Sequence, residues 1–246
     1  ELARQQALLK RSRVHFPATW TSQSDDGGDR GSIYWWRSGR CQVLVDASGS
    51  EWAEVEGQLK ESLPTAELVR LERVEDRLLW RDYCSKRDRI ELKRNGDANE
   101  QKMWHGTSAL DPHKALVHEV GIDPRFSSAA FYGRGVYLAA KARYSNGDED
   151  RSYVFYPDYP DRELRQLLLL GAAVGVSKDF GSLVSEKTRN LTKPPEQSPG
   201  VLFDSVQGGP HRPSCSGAGE CDSTMVIIYD LTQAYPEYIV TYRVRE

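Results

Sequence analysis

The chain has 246 residues, of which 39% are hydrophobic and 28% are charged, and its net charge is −3. This composition excludes a disordered chain and a fibrous repeat, and the small net charge argues against the one-sided basic field that non-specific duplex binding needs. The longest nearly apolar run, 167–176, is far shorter than the about 20 residues of a membrane-spanning helix, so a membrane protein is excluded as well.

Strand and helix signals alternate through the first half of the chain. The segment 68–74 alternates apolar and polar residues at period two, as a half-buried strand does, and 75–93 places Leu79, Tyr83 and Ile90 on one helix face. Asp111 followed by Pro112 is a typical helix start, and Gly121 marks the end of that helix. The other elements predicted in this half are strands at 32–36, 42–45 and 102–107 and a helix at 51–63.

Strand signals dominate the second half. Strands are predicted at 136–139, 164–174, 225–229 and 237–245, with long loops at 147–163, 177–200 and 207–222. There is no internal repeat and no linker that divides the chain. We therefore expect one α+β domain over 15–246, with helices early and antiparallel strands late, preceded by a linker or trailing helix at 1–14.

The N-terminus and the cysteines bear on the setting of the protein. The chain begins Glu-Leu-Ala-Arg-Gln-Gln, without an initiator methionine or a signal-peptide pattern, so we expect a fragment of a longer protein. Four cysteines are too few for a disulfide scaffold, which favours reduced thiols and a cytoplasmic or nuclear location. His211, Cys215 and Cys221 share one loop, but no fourth ligand accompanies them, so no metal is expected.

Two short motifs carry chemical information. The first is WHGT at 104–107, at the end of a predicted strand, and the second is YGRGVYLA at 132–139, which runs into one. Taken alone, a histidine before a glycine is more often a core or turn residue than a functional one. The two glycines of the second motif lack the third glycine of a dinucleotide fingerprint, and a tight turn explains them equally well.

Together, the motifs resemble the ADP-ribosyltransferase domain of the poly(ADP-ribose) polymerase superfamily. Further matches follow in order along the chain: FPATW at 16–20, Tyr144-Ser145, FDSV at 203–206 and QAYPEYIVTY at 233–242. The overall pattern is most similar to the macrodomain-bearing mono-ADP-ribosyltransferase branch. The resemblance implies an α+β fold of two mostly antiparallel sheets with flanking helices and an NAD cleft between them.

The resemblance also implies NAD+ as co-substrate and a place for its nicotinamide. The backbone of Gly106 and the hydroxyl of Ser145 would hold the carboxamide by paired hydrogen bonds. Tyr153 would cover one face of the ring and Tyr137 the other. Residues 147–152 lengthen the usual gap between the serine and the tyrosine.

The adenosine half is implied by other positions. His105, assisted by Thr107, would hold the adenine ribose 2′-hydroxyl. Arg125 occupies the place of a donor-loop arginine, although a solvated loop charge explains it equally well. Tyr132 and Gly133 are counted with the cofactor-binding residues because the glycine-rich turn permits a close backbone approach.

The third catalytic position departs from the chain-building members of the family. Counting back from the QAYP motif, the residue that follows His105 and Tyr137 in the catalytic triad is Met225, where those members have glutamate. A thioether neither accepts a strong hydrogen bond nor acts as a general base, so transfer of one ADP-ribose is retained and elongation is lost. Within one residue of that register lie Thr224 and Val226, which carry no carboxylate either.

Two carboxylates just upstream leave an alternative. Glu220 and Asp222 lie in the loop 208–223, which is longer than the branch's pattern, and either could swing into the third position. The loop itself is a substrate-selecting insertion or a tolerated surface loop. Glu237 belongs to the last strand and is interpreted as structural.

The expected function is therefore NAD+-dependent mono-ADP-ribosyl transfer to protein acceptors, with nucleic-acid ends as a second acceptor class. We expect a monomeric catalytic fragment of a larger protein. The alternative is a weak or inactive module that binds NAD or ADP-ribose as a scaffold, and NAD+ hydrolysis is a third possibility. Retention of His105, Gly106, Tyr137 and Ser145 favours activity.

Overall fold

The computed structural model describes residues 14–21, 40–116, 122, 130–147, 152–210 and 224–245, and a nine-stranded sheet organises them. The strands are β1 (Arg40–Leu44), β2 (Ala66–Asp76), β3 (Glu100–His105), β4 (Val136–Ala139), β5 (Arg165–Ala173), β6 (Ser177–Asp179), β7 (Glu196–Ser198), β8 (Val201–Leu202), β9 (Ser205–Gly208), β10 (Met225–Ile228) and β11 (Ala234–Val244). The large sheet has the order β1-β2-β11-β5-β3-β4-β10-β9-β6, and β7 and β8 form a separate small sheet. Neighbouring strands of the large sheet are antiparallel, except β6 and β9, which are parallel.

Five helices and a 3₁₀ turn accompany the sheets within the described ranges. They are α1 (Ser50–Lys60), α2 (Arg77–Lys93), α3 (Pro112–Ala115), α4 (Ala142–Asn146), α5 (Glu186–Arg189) and the 3₁₀ turn Leu231–Gln233. None of these helices has the length and apolar character needed to cross a membrane. The expected α+β class with mostly antiparallel strands is confirmed.

The large sheet is almost divided in two between β3 and β4. These strands pair through a single position, Trp104 opposite Ala139, whereas β3 and β5 pair from Glu100 to His105. The two sheets expected from the sequence are thus two halves of one sheet, joined at a seam that we define by the Trp104–Ala139 pair. The motifs WHGT and YGRGVYLA meet at this seam.

The core lies on both faces of β5. Leu167 and Leu169 pack with Trp104 and Tyr242 on one face, and the alternate residues Leu168 and Leu170 pack on the other. All four leucines are at most 1% exposed. A strand buried on both faces reads as a continuous apolar run, which explains the apolar stretch in the sequence.

Helix α2 begins at Arg77, two residues later than predicted. Glu75 and Asp76 continue β2, where Asp76 pairs with Arg40 of β1. The Asp76 side chain caps the helix by accepting hydrogen bonds from the Leu78 and Leu79 amides, both at 3.0 Å. The apolar face of α2 packs as predicted, with Tyr83 and Ile90 buried in one cluster with Trp20.

Other boundaries differ modestly from the sequence predictions. Helix α1 follows Gly49, which makes no side-chain cap, and Asp111 caps α3 as predicted by accepting from the His113 amide at 2.9 Å. The segment 177–200 was predicted to be a loop, and this is wrong, because it contains β6, α5 and β7. The predicted strand at 32–36, the end of the predicted helix at 117–121 and most of the predicted linker at 1–14 lie outside the described residues.

Candidate active site

The imidazole of His105 closes the seam beyond the Trp104–Ala139 pair. His105 is the last residue of β3, and its Nδ1 donates a 2.9 Å hydrogen bond to the carbonyl oxygen of Tyr137 in β4. A side chain thus makes the link that the backbone ladder no longer makes. The two sequence motifs are thus in direct contact.

This bond fixes the protonation of the ring. A carbonyl oxygen only accepts, so Nδ1 carries the proton, and Nε2 of the neutral ring is left as an acceptor. Burial lowers the pKa of His105 below its usual value of 6.5, while the bond to Tyr137 opposes that shift. His105 is therefore neutral at pH 7 and offers a lone pair to a hydroxyl group.

Gly106 lies against the backbone of Tyr153. A β-carbon at position 106 would stand 2.2 Å from the Tyr153 carbonyl oxygen, so only glycine permits this approach. The same oxygen accepts from the Ser108 amide at 2.8 Å, and the Tyr153 amide donates to the Ser145 carbonyl at 3.2 Å. The Tyr153 backbone thus brings Gly106 next to a later segment of the chain that contains Ser145 and Tyr153.

Thr107 presents a polar atom that the described residues leave unsatisfied. Its Oγ1 is buried and has no hydrogen-bond partner among them. A buried hydroxyl without a partner costs free energy, which a bound ligand with a polar group would recover.

The hydroxyl of Tyr137 holds the glycine-rich turn. It donates to the Gly133 carbonyl at 3.0 Å and accepts from the Tyr132 amide at 2.8 Å. Burial raises the pKa of Tyr137 to about 12, so the hydroxyl stays protonated at neutral pH. The ring of Tyr137, with its hydroxyl engaged, remains half-exposed at the seam.

The turn itself is packed tightly. Gly133 has φ +77°, and a β-carbon there would meet the Leu191 carbonyl at 1.9 Å. Tyr132 is fully buried, and its hydroxyl donates to the Gly181 carbonyl at 2.7 Å. The side chain of Tyr132 therefore supports the turn from the core side.

Met225 begins β10 and lies opposite Ala139 of β4. It is 2% exposed and belongs to a cluster against which Tyr137 also packs. Its sulfur is 3.8 Å from the hydroxyl of Tyr144, which donates to it. The three positions predicted for the triad thus lie on β3, β4 and β10, three adjacent strands.

Tyr144 belongs to the Tyr144-Ser145 motif, and the sequence alone indicates no role for it. In the structure it contacts Met225 through its hydroxyl, and its ring stacks on Tyr153 with centroids 5.8 Å apart. Tyr144 thus connects Met225, predicted as the third triad position, to Tyr153, predicted to cover the nicotinamide. Its place directly before Ser145 was the available signal, but the partner of its side chain is a tertiary contact.

Several residues predicted to belong to the site lie outside the residues that the structure describes. Arg125, Glu220 and Asp222 are among them, as are the candidate metal ligands His211, Cys215 and Cys221. Within the described ranges, no group of three or more His, Cys, Asp or Glu residues is arranged to hold a metal ion. Glu237 lies in β11, where it contacts Lys102 and where burial raises its pKa.

Comparison with known sequences identifies the relatives of this arrangement. The family model described as the poly(ADP-ribose) polymerase catalytic domain matches residues 49–244. This range contains both sequence motifs and all three triad positions.

Individual relatives carry related names. The chain is 27% identical over 241 residues to the protein mono-ADP-ribosyltransferase PARP14 of Homo sapiens, covering 96% of this chain and 11% of that protein. It is 29% identical over 205 residues to a probable poly(ADP-ribose) polymerase of Dictyostelium discoideum, covering 82% of this chain and 52% of the relative. With the protein mono-ADP-ribosyltransferase PARP12 of Homo sapiens the identity is 23% over 206 residues, covering 82% of this chain and 25% of that protein. The chain thus spans only part of each of these relatives.

Proposed function

The chain belongs to the poly(ADP-ribose) polymerase catalytic-domain family, and on that basis we propose that it transfers a single ADP-ribose from NAD+ to a protein acceptor. The observation that carries the proposal is the His105–Tyr137 contact at the seam, which leaves the Nε2 of a neutral histidine as an acceptor beside Gly106 and Thr107. The names of the relatives in Homo sapiens support a mono-ADP-ribosyltransferase. Their greater length supports a catalytic fragment of a larger protein.

The residues at the seam fit NAD+ chemically. The unsatisfied Oγ1 of Thr107 and the lone pair of His105 Nε2 suit ribose hydroxyl groups. The backbone of Gly106 and the hydroxyl of Ser145 suit a carboxamide, which needs one donor and one acceptor. The rings of Tyr137 and Tyr153 suit the faces of a planar nicotinamide.

The chemistry asks these residues mainly for orientation. Breaking the glycosidic bond leaves positive charge on the ribose as the bonding electrons depart with nicotinamide, and the acceptor's nucleophile then attacks the ribose C1′. His105, Gly106 and Ser145 hold the two ends of the donor, so the reacting bond is presented without loss of entropy at the moment of reaction. No metal is needed in this scheme.

Met225 limits the reaction to one transfer. The described triad supplies no carboxylate to activate the hydroxyl of an ADP-ribose already attached, because Met225 is buried and its sulfur is occupied by Tyr144. A protein carboxylate brings its own negative charge and needs no such base. Acidic protein side chains are therefore the acceptors we favour, ahead of nucleic-acid ends.

Met225 also supports the alternative function. Without a base at the third position, a domain of this family could bind NAD or ADP-ribose as a scaffold with little turnover. Activity and scaffold binding predict different results with labelled donor.

The test is incubation with labelled NAD+ and cell lysate, read on a denaturing gel together with nicotinamide release. We expect discrete labelled bands without a ladder. His105→Ala should reduce labelling by about 100-fold, because a misplacement of about 1 Å in a bound reactant can cost that much in rate. His15→Ala is the matched control, because His15 is exposed and its contact to Trp80 comes from the backbone.

The other possible results distinguish a mono-ADP-ribosyltransferase from a chain-building enzyme and from a scaffold. A smear would mean that a carboxylate completes the triad. Binding of NAD+ without label or nicotinamide release would establish the scaffold, and equal labelling by the wild type and His105→Ala would contradict the site assignment.

A further inference from the structure

A second pocket lies behind the catalytic turn. Its volume is about 290 Å³, and it is bounded by α2, the segment 192–194 and the residues around Phe203 and Tyr229. The described lining shares no residue with the cleft at the seam. Gln233, in its wall, donates to the Ala173 and Asp204 carbonyls at 2.8 and 2.9 Å, which places the pocket at the end of β5 away from Leu168, the partner of His105.

Positive charge is in excess at this pocket. Lys86 pairs with Asp230 at 2.6 Å, so these two charges compensate each other. Asp204 is the single carboxylate shared by Lys93, at 2.9 Å, and Arg94, at 2.5 Å. Two cations on one buried carboxylate leave one positive charge uncompensated.

Lys193 adds a second uncompensated charge. It lines the pocket, is exposed, and makes no hydrogen bond or ion pair with any residue that the structure describes. The charged side chains that line the pocket thus leave one positive charge, and Arg94, which shares Asp204 with Lys93 from outside the lining, adds a second one beside it. A phosphate monoester carries close to two negative charges at pH 7.

The remaining wall is apolar and aromatic. Phe203, Pro194 and Leu202 line it, and the ring of Phe203 is partly exposed. An aromatic side chain of this kind can stack on a planar base. The volume is near the lower end of those typical of small-molecule sites.

We propose that this pocket binds a small phosphate monoester of the mononucleotide class, at a site separate from the NAD+ cleft. The phosphate lies between Lys193 and Lys93, and the base lies against Phe203. This inference does not depend on the transferase activity, since it concerns binding at other residues.

The pocket is physically connected to the turn that carries Tyr137. Tyr229, in its wall, donates a 2.6 Å hydrogen bond to the Tyr132 carbonyl, and the Tyr132 amide donates to the Tyr137 hydroxyl. Thr192 follows Leu191, whose carbonyl accepts from the Arg134 amide at 3.1 Å. An occupant of the pocket therefore contacts Tyr229, one support of that turn, and Thr192, the neighbour of the other.

The test is calorimetric titration of the whole chain with uridine 5′-monophosphate, which lacks the adenine of NAD+. We expect saturable binding, with uridine and inorganic phosphate each binding at least about ten-fold more weakly, because each lacks one of the two recognised groups. Lys193→Ala should weaken binding of the monophosphate about ten-fold, the loss expected for one charge-assisted hydrogen bond. Lys187→Ala is the matched control, since this exposed lysine is close in sequence and does not line the pocket.

Saturating NAD+ should leave the monophosphate bound. Displacement by NAD+ would mean that the ligand occupies the cleft and would overturn the proposal. Undetectable binding at millimolar concentration, or equal affinities for the wild type and Lys193→Ala, would overturn it too. Inorganic phosphate binding as tightly as the nucleotide would refute the mononucleotide class.

Discussion

The imidazole of His105 and the backbone carbonyl of Tyr137 are joined by a 2.9 Å hydrogen bond across the one place where the large sheet is nearly divided. This contact sets the tautomer of His105 without using Nε2. It also makes the orientation of the ring depend on the position of β4, so His105, the residue proposed to bind the donor, is positioned by the strand that follows the glycine-rich turn.

The pH dependence of donor use follows from the lowered pKa of His105. Acceptance of a ribose hydroxyl requires unprotonated Nε2, and burial keeps that form populated below the usual pKa of 6.5. We expect kcat/KM for NAD+ to be flat from pH 8 to 6.5 and to fall only at lower pH. A profile from pH 5 to 8 checks this, and a midpoint at or above 6.5 would contradict it.

The stabilisation provided by a second histidine, His113, should decrease as the pH rises. His113 contacts the carboxylates of Glu72 and Asp111, each at 3.1 Å, and the hydrogen bond to Glu72 is the main cause that raises its pKa. Because the folded pKa is above 6.5, the stabilisation is fully present below pH 6.5 and is lost as the pH rises through the raised value. His113→Gln should therefore lower Tm more at pH 6 than at pH 8.5, measured by thermal unfolding. A Tm difference that is equal at both pH values would show that the carboxylates do not act on the His113 charge.

Gly106→Ala should impair the site through backbone displacement. The new β-carbon would stand 2.2 Å from the Tyr153 carbonyl oxygen, so Tyr153 and the loop after Gly106 must separate. We expect KM for NAD+ to rise at least about ten-fold, as a misplacement near 1 Å at a positioned site produces losses of this order or larger.

The matched control for that variant is Gly57→Ala in α1. A β-carbon at Gly57 meets no atom within 4 Å, so the substitution should stabilise the helix by about 0.5–1 kcal/mol and leave KM unchanged. Steady-state kinetics and chemical unfolding of both variants test this pair. An unchanged KM in Gly106→Ala would mean that the Tyr153 backbone is not part of the donor site.

Met225→Glu tests the third triad position. The new carboxyl would be buried beside the Tyr144 hydroxyl, so its pKa should be raised and stability should fall. We expect some elongation or faster NAD+ hydrolysis, increasing with pH as the group ionises. Met225→Gln, of similar size without a base, should show neither, and identical products from the two variants would mean that the third position lies elsewhere.

Most regular elements could be predicted because local signals and tertiary structure agree there. The alternation at 68–74, the amphipathic face of 75–93 and the Asp111-Pro112 start all correspond to elements of the structure. The short elements within 177–200 escaped prediction because strands of two or three residues carry almost no periodicity. The end of β2 escaped as well, since Glu75 and Asp76 read as a helix start until their pairing with β1 is known.

The chemistry of the site could be named from motifs, but its assembly could not. The sequence contains no signal that the Nδ1 of His105 meets the Tyr137 carbonyl, or that the Tyr144 hydroxyl reaches Met225.

The partners of the buried charges in β2 could not be predicted from the sequence either. Arg73 is 7% exposed and is neutralised by Glu75 of the same strand and by Glu51 of α1, at 2.6 Å, and the second of these partners is distant in sequence.

The Trp104–Ala139 pair also bears on how the cleft at the seam accommodates a bound donor molecule. Each half of the sheet has its own continuous ladder, and between β3 and β4 the ladder is reduced to this pair, with the His105–Tyr137 hydrogen bond beside it. We expect this pair to act as a hinge between the two halves, with the His105–Tyr137 hydrogen bond restraining the motion. We expect the backbone amides at the hinge to exchange with solvent faster than those at the centre of β5, and a donor molecule spanning both halves to slow that exchange.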